Sequence, residues 1–336
     1  MIISFHSGKH LDYYCVQFSN KTQSDNLKFA AVDIGSNAIR FQITSILKHN
    51  GIFNFKKLEY VRFPLRLGQD VFQYNKISPE KEEKFLKLMK TFKMLLELYE
   101  VDDYIFCATS AMRESANGRA IAERVKEEVG IIIDIIDGDT EAELINAVLF
   151  NELDEKSYIH IDVGGGSTEL NFFVNKQKVA AQSFKIGSVR RLNKLDAPEE
   201  WDRMKEWVQA NISKAKAPIY AIGTGGNIGK IYELAHLSRS KDLKPSIKIE
   251  KIEGVQKQVA SMSYDDRIHV LNLNPDRADV IVPASDIYIS VMQYAGAKEM
   301  LVPELGLKDG LIQMLFKKHM QNQEQLTIIN TNKFPK

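Results

Sequence analysis

The chain has 336 residues, with 45 Lys and Arg against 44 Asp and Glu, a net charge of +1. This length suggests about two domains, with a core large enough to need neither disulfides nor a structural metal. Balanced charge excludes the broad basic face that grips DNA or membrane in bulk, so a polyanion would have to be held at a local site.

Cys15 and Cys107 form no CxxC pair, and the seven histidines make no HExxH motif, so the sequence reads as a protein of the reducing cytoplasm without a zinc site. No apolar run reaches the ~20 residues of a membrane span. Residues 1–28 carry His6, Lys9, His10 and Asp12 where a signal peptide needs its apolar stretch, and are expected to be a poorly ordered extension.

In chain order, Phe29–Asp33 is a short buried strand ending in the turn Gly35-Ser36-Asn37. Strands follow over Ile39–Ile46 and Phe53–Phe63. Ser78-Pro79-Glu80 starts a helix that runs to about Tyr99 with Phe85, Leu88, Met89, Phe92, Leu95 and Leu96 on one stripe. A strand (Tyr104–Ala108), a helix (about Ser115–Glu128), a strand (Ile131–Ile136) and a helix (about Thr140–Asn151) complete a first half, residues 29–151. At Tyr158 the scheme restarts: Tyr158–Asp162 is an apolar strand ending in Gly164-Gly165-Gly166-Ser167-Thr168-Glu169. Alternating strands reach about Lys185, and helices with a strand at Ile219–Ile222 fill a second half, residues 152–320. Residues 321–336 read as a tail. Ser238–Lys251, with five Lys and Arg, reads as a solvated linker. A strand-Asp-x-Gly-turn-strand unit therefore occurs twice, at Asp33 and at Asp162, 129 residues apart. Two α/β halves, each opening with a glycine turn, would face each other across a cleft.

The second loop carries the stronger chemistry. Three consecutive glycines let the backbone approach a ligand and aim successive amides at it, and such nests bind phosphate oxygens. Ser167 and Thr168 add hydroxyls, while Asp162 and Glu169 are hard oxygen donors suited to a divalent cation. Asp33-Ile-Gly-Ser-Asn-Ala-Ile-Arg40 is the weaker twin. Gly223-Thr-Gly225-Gly226 fails the dinucleotide pattern but offers glycine amides between a strand and a helix. These loops alone fit a sugar kinase, an actin-like ATPase or a phosphohydrolase.

Further segments resolve the choice. Arg66-Leu-Gly, Ala108-Thr-Ser-Ala-Met-Arg113-Glu-Ser-Ala-Asn117, Gly138-x-x-Glu141-Ala, Gly187-Ser-Val-Arg190 and Gly306-Leu-Lys-Asp-Gly310 stand in order with the three glycine loops. Over about Phe29–Lys318 the chain resembles the exopolyphosphatase/guanosine pentaphosphate phosphohydrolase (Ppx/GppA) family in its short two-domain form. The resemblance implies a duplicated actin-like, ribonuclease H-like α/β fold (ASKHA) with the active site between the domains. It implies that Glu141 is the base activating water, with Arg113 assisting. It also implies that Asp33, Asp162 and Glu169 hold Mg²⁺ or another divalent cation. Gly35, Ser36, Asn37, Gly164, Gly165, Gly166, Ser167, Thr168, Gly223, Thr224, Gly225 and Gly226 would cradle phosphate, and Arg40, Arg66 and Arg190 would extend the contact. The substrate would be inorganic polyphosphate or guanosine pentaphosphate, with no DNA or membrane partner and a homodimer left open. Ala38, Thr140 and Glu143 depart from the family pattern, Glu143 placing a negative charge where an arginine is usual. A non-catalytic sensor of the same anions, or an actin-like kinase, are the alternatives.

Overall fold

The short apolar runs become two mixed sheets in the computed structural model, which describes residues 4–8, 11–15, 26–150, 152–215, 218–235 and 244–333, with the backbone alone for 4–8, 11–15 and 322–333. The first sheet contains β1 (Ser4–Gly8), β2 (Leu11–Cys15), β3 (Leu27–Ile34), β4 (Ile39–His49), β5 (Ile52–Phe63), β6 (Asp103–Ala108) and β7 (Ile133–Ile135), ordered β1-β2-β5-β4-β3-β6-β7. The second contains β8 (Ser157–Val163), β9 (Thr168–Val174), β10 (Gln177–Phe184), β11 (Ile219–Thr224), β12 (Ser246–Lys248) and β13 (Glu299–Leu301), ordered β10-β9-β8-β11-β13-β12. In each sheet the strand ending at the key aspartate lies between an antiparallel partner that follows it and a parallel partner beyond a crossover. Two such copies make the two α/β halves that the motif repeat implied, and their shared strand order is that of the duplicated ribonuclease H-like, actin-like fold expected from the resemblance.

Helices α1 (Leu67–Tyr74), α2 (Pro79–Leu98), α3 (Ser110–Glu114), α4 (Gly118–Val129) and α5 (Gly138–Leu149) follow strands of the first sheet. The second half adds α6 (Ser188–Leu192), α7 (Pro198–Ile212), α8 (Gly226–Leu234), α9 (Ile249–Ala260), α10 (Tyr264–His269), α11 (Pro275–Ala278) and α12 (Ile281–Ala295), and α13 (Leu307–Lys333) ends the fold. β3 is apolar without alternation because both its faces are covered. Ala30, Val32 and Ile34 pack with Phe85, Met89 and Phe92 of α2, whereas Phe29 and Ala31 pack with Ile145 and Leu149 of α5 and Leu311 and Leu315 of α13. That second cluster also takes in Tyr158 and Phe173 of the second sheet, so it welds the two halves together behind the cleft.

Four expectations change. Ser4–Gly8 and Leu11–Cys15, within the segment read as a poorly ordered extension, form a hairpin whose inner strand continues the first sheet along β5, Asp12 opposite Phe55; residues 16–25 lie outside the described residues. The segment read as a linker contains β12 and the first three residues of α9, a helix that buries Ile252, Val255 and Val259 beyond it; 236–243 are not among the described residues. The segment read as a tail continues α13 to Lys333. Ser78 is the N-cap residue of α2, but its hydroxyl makes no capping bond. Among the described residues no helix is long and apolar enough to cross a membrane.

Candidate active site

The site grows from the two glycine turns. In the antiparallel register Asp33 stands opposite Arg40 and Asp162 opposite Glu169, so each turn presents its strand-end aspartate beside the first residues of the returning strand. The turns face each other so closely that a Cβ on Gly165 would lie 2.8 Å from Ser36 Cβ. Their carbonyls are taken up from outside. Gly164 O accepts from Ser188 N, Gly165 O from Val189 N and Arg190 N, and Gly166 O from Arg190 Nε. On the first turn, Ser36 O accepts from Gly68 N and Asn37 O from Arg66 N. In a planar trans peptide the N–H points opposite to the C=O. The amides of residues 37 and 38, and of 165–167, therefore point away from these donors, and Asn37, Gly165 and Ser167 line the space between the loops.

That space is a cavity of about 380 Å³. Asp33, Gly35, Ser36, Asn37, Arg40, Glu141, Asp162, Gly164, Gly165, Ser167, Glu169, Gly225 and Gly226 all line it. Glu141 arrives from α5, whose N-cap Asp137 accepts from Thr140 N at 2.8 Å. Glu141 is half-buried, and its Oε2 is enclosed with no hydrogen-bond partner. Thr140 and Glu143 are exposed, and Glu143 lies outside the lining.

Electrostatics divides the carboxylates. Burial and the nearby charges of Glu169, Asp162 and Asp33 push Glu141 well above the usual carboxylate range, with Arg113 opposing. Burial and then Asp162 push Glu169 up to about 7, against hydrogen bonds from Ser167 (2.7 Å) and Ser183 (3.0 Å). Burial raises Asp162 to about 6, partly offset by Arg40. Burial opposes the charge on Arg40, but Asp33, in contact at 2.5 Å, outweighs it and holds the guanidinium above its ordinary range. The second half of the site is thus overcrowded with acid, and the first is neutralised.

Other expected residues stand behind the cavity wall. Arg66 pairs with Asp279 at 2.5 Å, and Arg190 pairs with Glu114 at 2.7 Å while lying 4.3 Å from the Phe72 ring centre. Neither lines the cavity; both tie the loop-holding helices across the cleft. Arg113 donates to Ile136 O at 2.7 Å and reaches the site through its charge. Gly166 packs on Phe72, Gly223 on Met300, and Thr168 donates to Ile186 O. Thr224 is fully buried beside Asp162. Sequence reading missed the outer wall, formed by Lys57, Tyr60, Arg62, Lys230, Arg277 and Lys308. Arg62 of β5 is brought to the wall by a contact remote in sequence, where Asp276 of α11 meets Arg62 and Asn37.

The fit to a divalent cation is partial. Oxygen donors are plentiful, and their mutual repulsion is what a cation would relieve. Among the described residues, however, no three acidic, His or Cys side chains are arranged to enclose an ion, and Asp33 is already paired. This suits Mg²⁺, which is usually held by one or two carboxylates together with substrate phosphates; Asp162 and Glu169 are the residues suited to it.

The sequence model of the Ppx/GppA phosphatase family matches residues 45–319. The chain belongs to this family. A Fusobacterium nucleatum protein named bifunctional 3-dehydroquinate synthase/phosphatase is 30% identical over 312 residues, 83% of this chain; the match spans only 45% of that longer protein. Two solved structures share the fold. The Aquifex aeolicus Ppx/GppA family member has a TM-score of 0.68 at 24% identity, covering 88% of this chain and 99% of that one. A Cytophaga hutchinsonii exopolyphosphatase has a TM-score of 0.75 at 22% identity, covering 87% and 98%.

Proposed function

We propose that this Ppx/GppA family member removes the terminal phosphate from a phosphoanhydride chain, either inorganic polyphosphate or guanosine pentaphosphate. The observation that carries this reading is Glu141 Oε2, enclosed and unpartnered at the wall of the cavity that both glycine loops line. A structural carboxylate is normally satisfied. One left free beside an anion cradle, with its proton affinity raised above that of an ordinary carboxylate by burial and by the neighbouring acids, is suited to act as a general base.

The loop amides and Arg40 would bind the phosphate being removed, as fixed donors that need no reorganisation when charge develops. Asp162 and Glu169 would hold Mg²⁺ jointly with phosphate oxygens, and when bound it would offset their charge and orient them. Glu141 would hold a water in line with the terminal phosphorus and take its proton as the new P–O bond forms and the bond from phosphorus to the bridging oxygen breaks, that oxygen leaving on the shortened chain. Arg62, Arg277 and Lys57 on the outer wall would face the departing chain.

The test is phosphate release from polyphosphate and from guanosine pentaphosphate, with and without Mg²⁺, for wild type and Glu141→Gln. We expect Mg²⁺-dependent release, with kcat lowered about 10²- to 10⁴-fold by the substitution. No release from either compound by wild type overturns the reading, and undiminished release by Glu141→Gln removes Glu141 as the base.

A further inference from the structure

The phenyl ring of Phe72 occupies a place that two glycines leave open. A Cβ on Gly68, one turn earlier on α1, would lie 2.6 Å from its Cε2, and a Cβ on Gly166 would lie closer still to its Cζ. Neither glycine has a positive φ, so both positions call for glycine for space and not for backbone freedom. The third glycine of the run Gly164-Gly165-Gly166 thus admits a side chain, whereas Gly164, Gly165 and Ser167 beside it line the cavity.

Phe72 and Gly166 belong to different halves of the chain. The ring packs on the core of the first half, and its far edge meets the loop of the second. Arg190 of α6 completes the contact. Its Nε donates to Gly166 O at 2.9 Å, its guanidinium carbon stands 4.3 Å from the centre of the Phe72 ring, and its Nη2 donates to Glu114 of α3 at 2.7 Å. A cation over an aromatic face is attracted to it, more strongly where water is excluded, and the Arg190 side chain is only 11% exposed. Ser110 Oγ, also of the first half, would lie 2.8 Å from the same Gly166 Cβ. Gly166 is therefore held at its carbonyl from its own half and at its α-carbon from the other. A flat ring offers a face to a guanidinium and an edge to a backbone at once; a branched aliphatic side chain does not.

We propose that Phe72 is a positioning residue for the second glycine loop. From the first half it fixes Gly166, and with it the neighbouring Gly165 and Ser167 that line the cavity. The proposal rests on the reading of that cavity as a phosphate site. A ring that only filled space beside α1 would stabilise the fold without affecting phosphate affinity.

Three measurements test this. Affinity for inorganic phosphate is read from ³¹P line broadening on the substrate-free protein, alongside urea unfolding and KM and kcat for polyphosphate. The variants are Phe72→Leu, Phe72→Met, Gly166→Ala and the pair Phe72→Ala with Gly166→Ala. Tyr74→Leu, at an exposed position on the same helix, is the control. Where urea unfolding shows them folded, Phe72→Leu and Phe72→Met should weaken phosphate binding about 10-fold and lower kcat/KM by up to about 10²-fold, the scale of an ångström-sized misplacement. Gly166→Ala should do the same, because its methyl meets the ring. The pair should bind phosphate better than Gly166→Ala alone, and Tyr74→Leu should bind it as wild type does. Folded Phe72 variants with wild-type phosphate affinity overturn the proposal. So does an equal loss in Tyr74→Leu, a pair no better than Gly166→Ala, or a wild type that binds no phosphate. If wild type binds phosphate and the Phe72 variants lose it, but none is released from polyphosphate or guanosine pentaphosphate, the positioning role stands and the proposed hydrolysis fails.

Discussion

Arg40 and Glu169 occupy the same position in the two halves of the chain, each opposite the aspartate that ends the preceding strand. One scaffold therefore carries two electrostatic outcomes. In the first half Arg40 neutralises Asp33; in the second Glu169 adds to the charge of Asp162, and both carboxyls are raised. The duplicated hairpin supplies the geometry, and a single exchanged residue leaves one side of the cavity with a guanidinium paired to its aspartate and the other with two carboxyls of raised proton affinity.

Arg40→Gln tests the neutralised side. It leaves Asp33, 6% exposed, without its cation. Removing one partner of a buried ion pair costs about 3–5 kcal/mol, and with Arg40 itself partly exposed urea unfolding should show a loss at or below the lower end of that range. Steady-state kinetics should show KM raised more than kcat is lowered. Arg40→Lys should rescue little, because the fork that meets Asp33 is lost.

Glu169→Gln tests the acidic side through pH. The folded protein holds this proton up to about pH 7, whereas an unfolded chain releases it near the ordinary value of 4.5. The folded state is thus favoured below about pH 4.5, and that advantage is lost as pH rises through about 7. Relative to wild type, the substrate-free Glu169→Gln protein should gain on the order of 1–3 kcal/mol at pH 8 and almost nothing at pH 4.5. Thermal unfolding across that range checks this. Phosphate release by the variant should fall, so stability and activity would move in opposite directions.

The glycine-loop core of the cavity was legible because its signals are local. A strand buried on both faces, an aspartate and glycines in one short segment need no tertiary knowledge, and the 129-residue repeat locates the second copy. Arg66 and Arg190 were legible as motif residues but not in role, since Asp279 and Glu114 lie 213 and 76 residues away. Helices α1 and α3, of 8 and 5 residues, are too short for periodicity to declare. β12 and the first residues of α9 were hidden by the charge count over Ser238–Lys251; the stripe Ile252, Val255 and Val259, which declares the helix by its spacing, lies beyond that segment.

The roles of the bracketing arginines can be separated by a double-mutant cycle. If Arg66 acts through Asp279, then Arg66→Met and Asp279→Asn should lower stability by similar amounts. The double variant should be little worse than either, with an interaction energy of about 0.5–3 kcal/mol. Changes in KM should track between the two singles. A rise in KM confined to Arg66→Met would instead return Arg66 to the phosphate.

The last prediction concerns the backbone that shapes the cradle. Gly187 has an extended conformation, φ −144° and ψ 160°, that any residue can adopt, so the demand for glycine there is one of space. A Cβ would lie 2.4 Å from Gly165 O and 2.5 Å from the carbonyl carbons of Gly165 and Gly166. Those atoms are backbone and cannot swing aside. Gly165 O is also the acceptor for Val189 and Arg190 amides, so displacing it turns the loop amides away from the cavity. Gly187→Ala should cost about 1–3 kcal/mol by overpacking and depress kcat further than its stability loss alone would. Gly254→Ala is the contrasting control. It lies exposed within α9, where an added Cβ meets nothing within 4 Å, and alanine there should stabilise by about 0.5–1 kcal/mol through helix propensity. Urea unfolding and phosphate release on both variants check the pair. Equal stability changes of the same sign would show that the Gly187 contact is not what holds the loop.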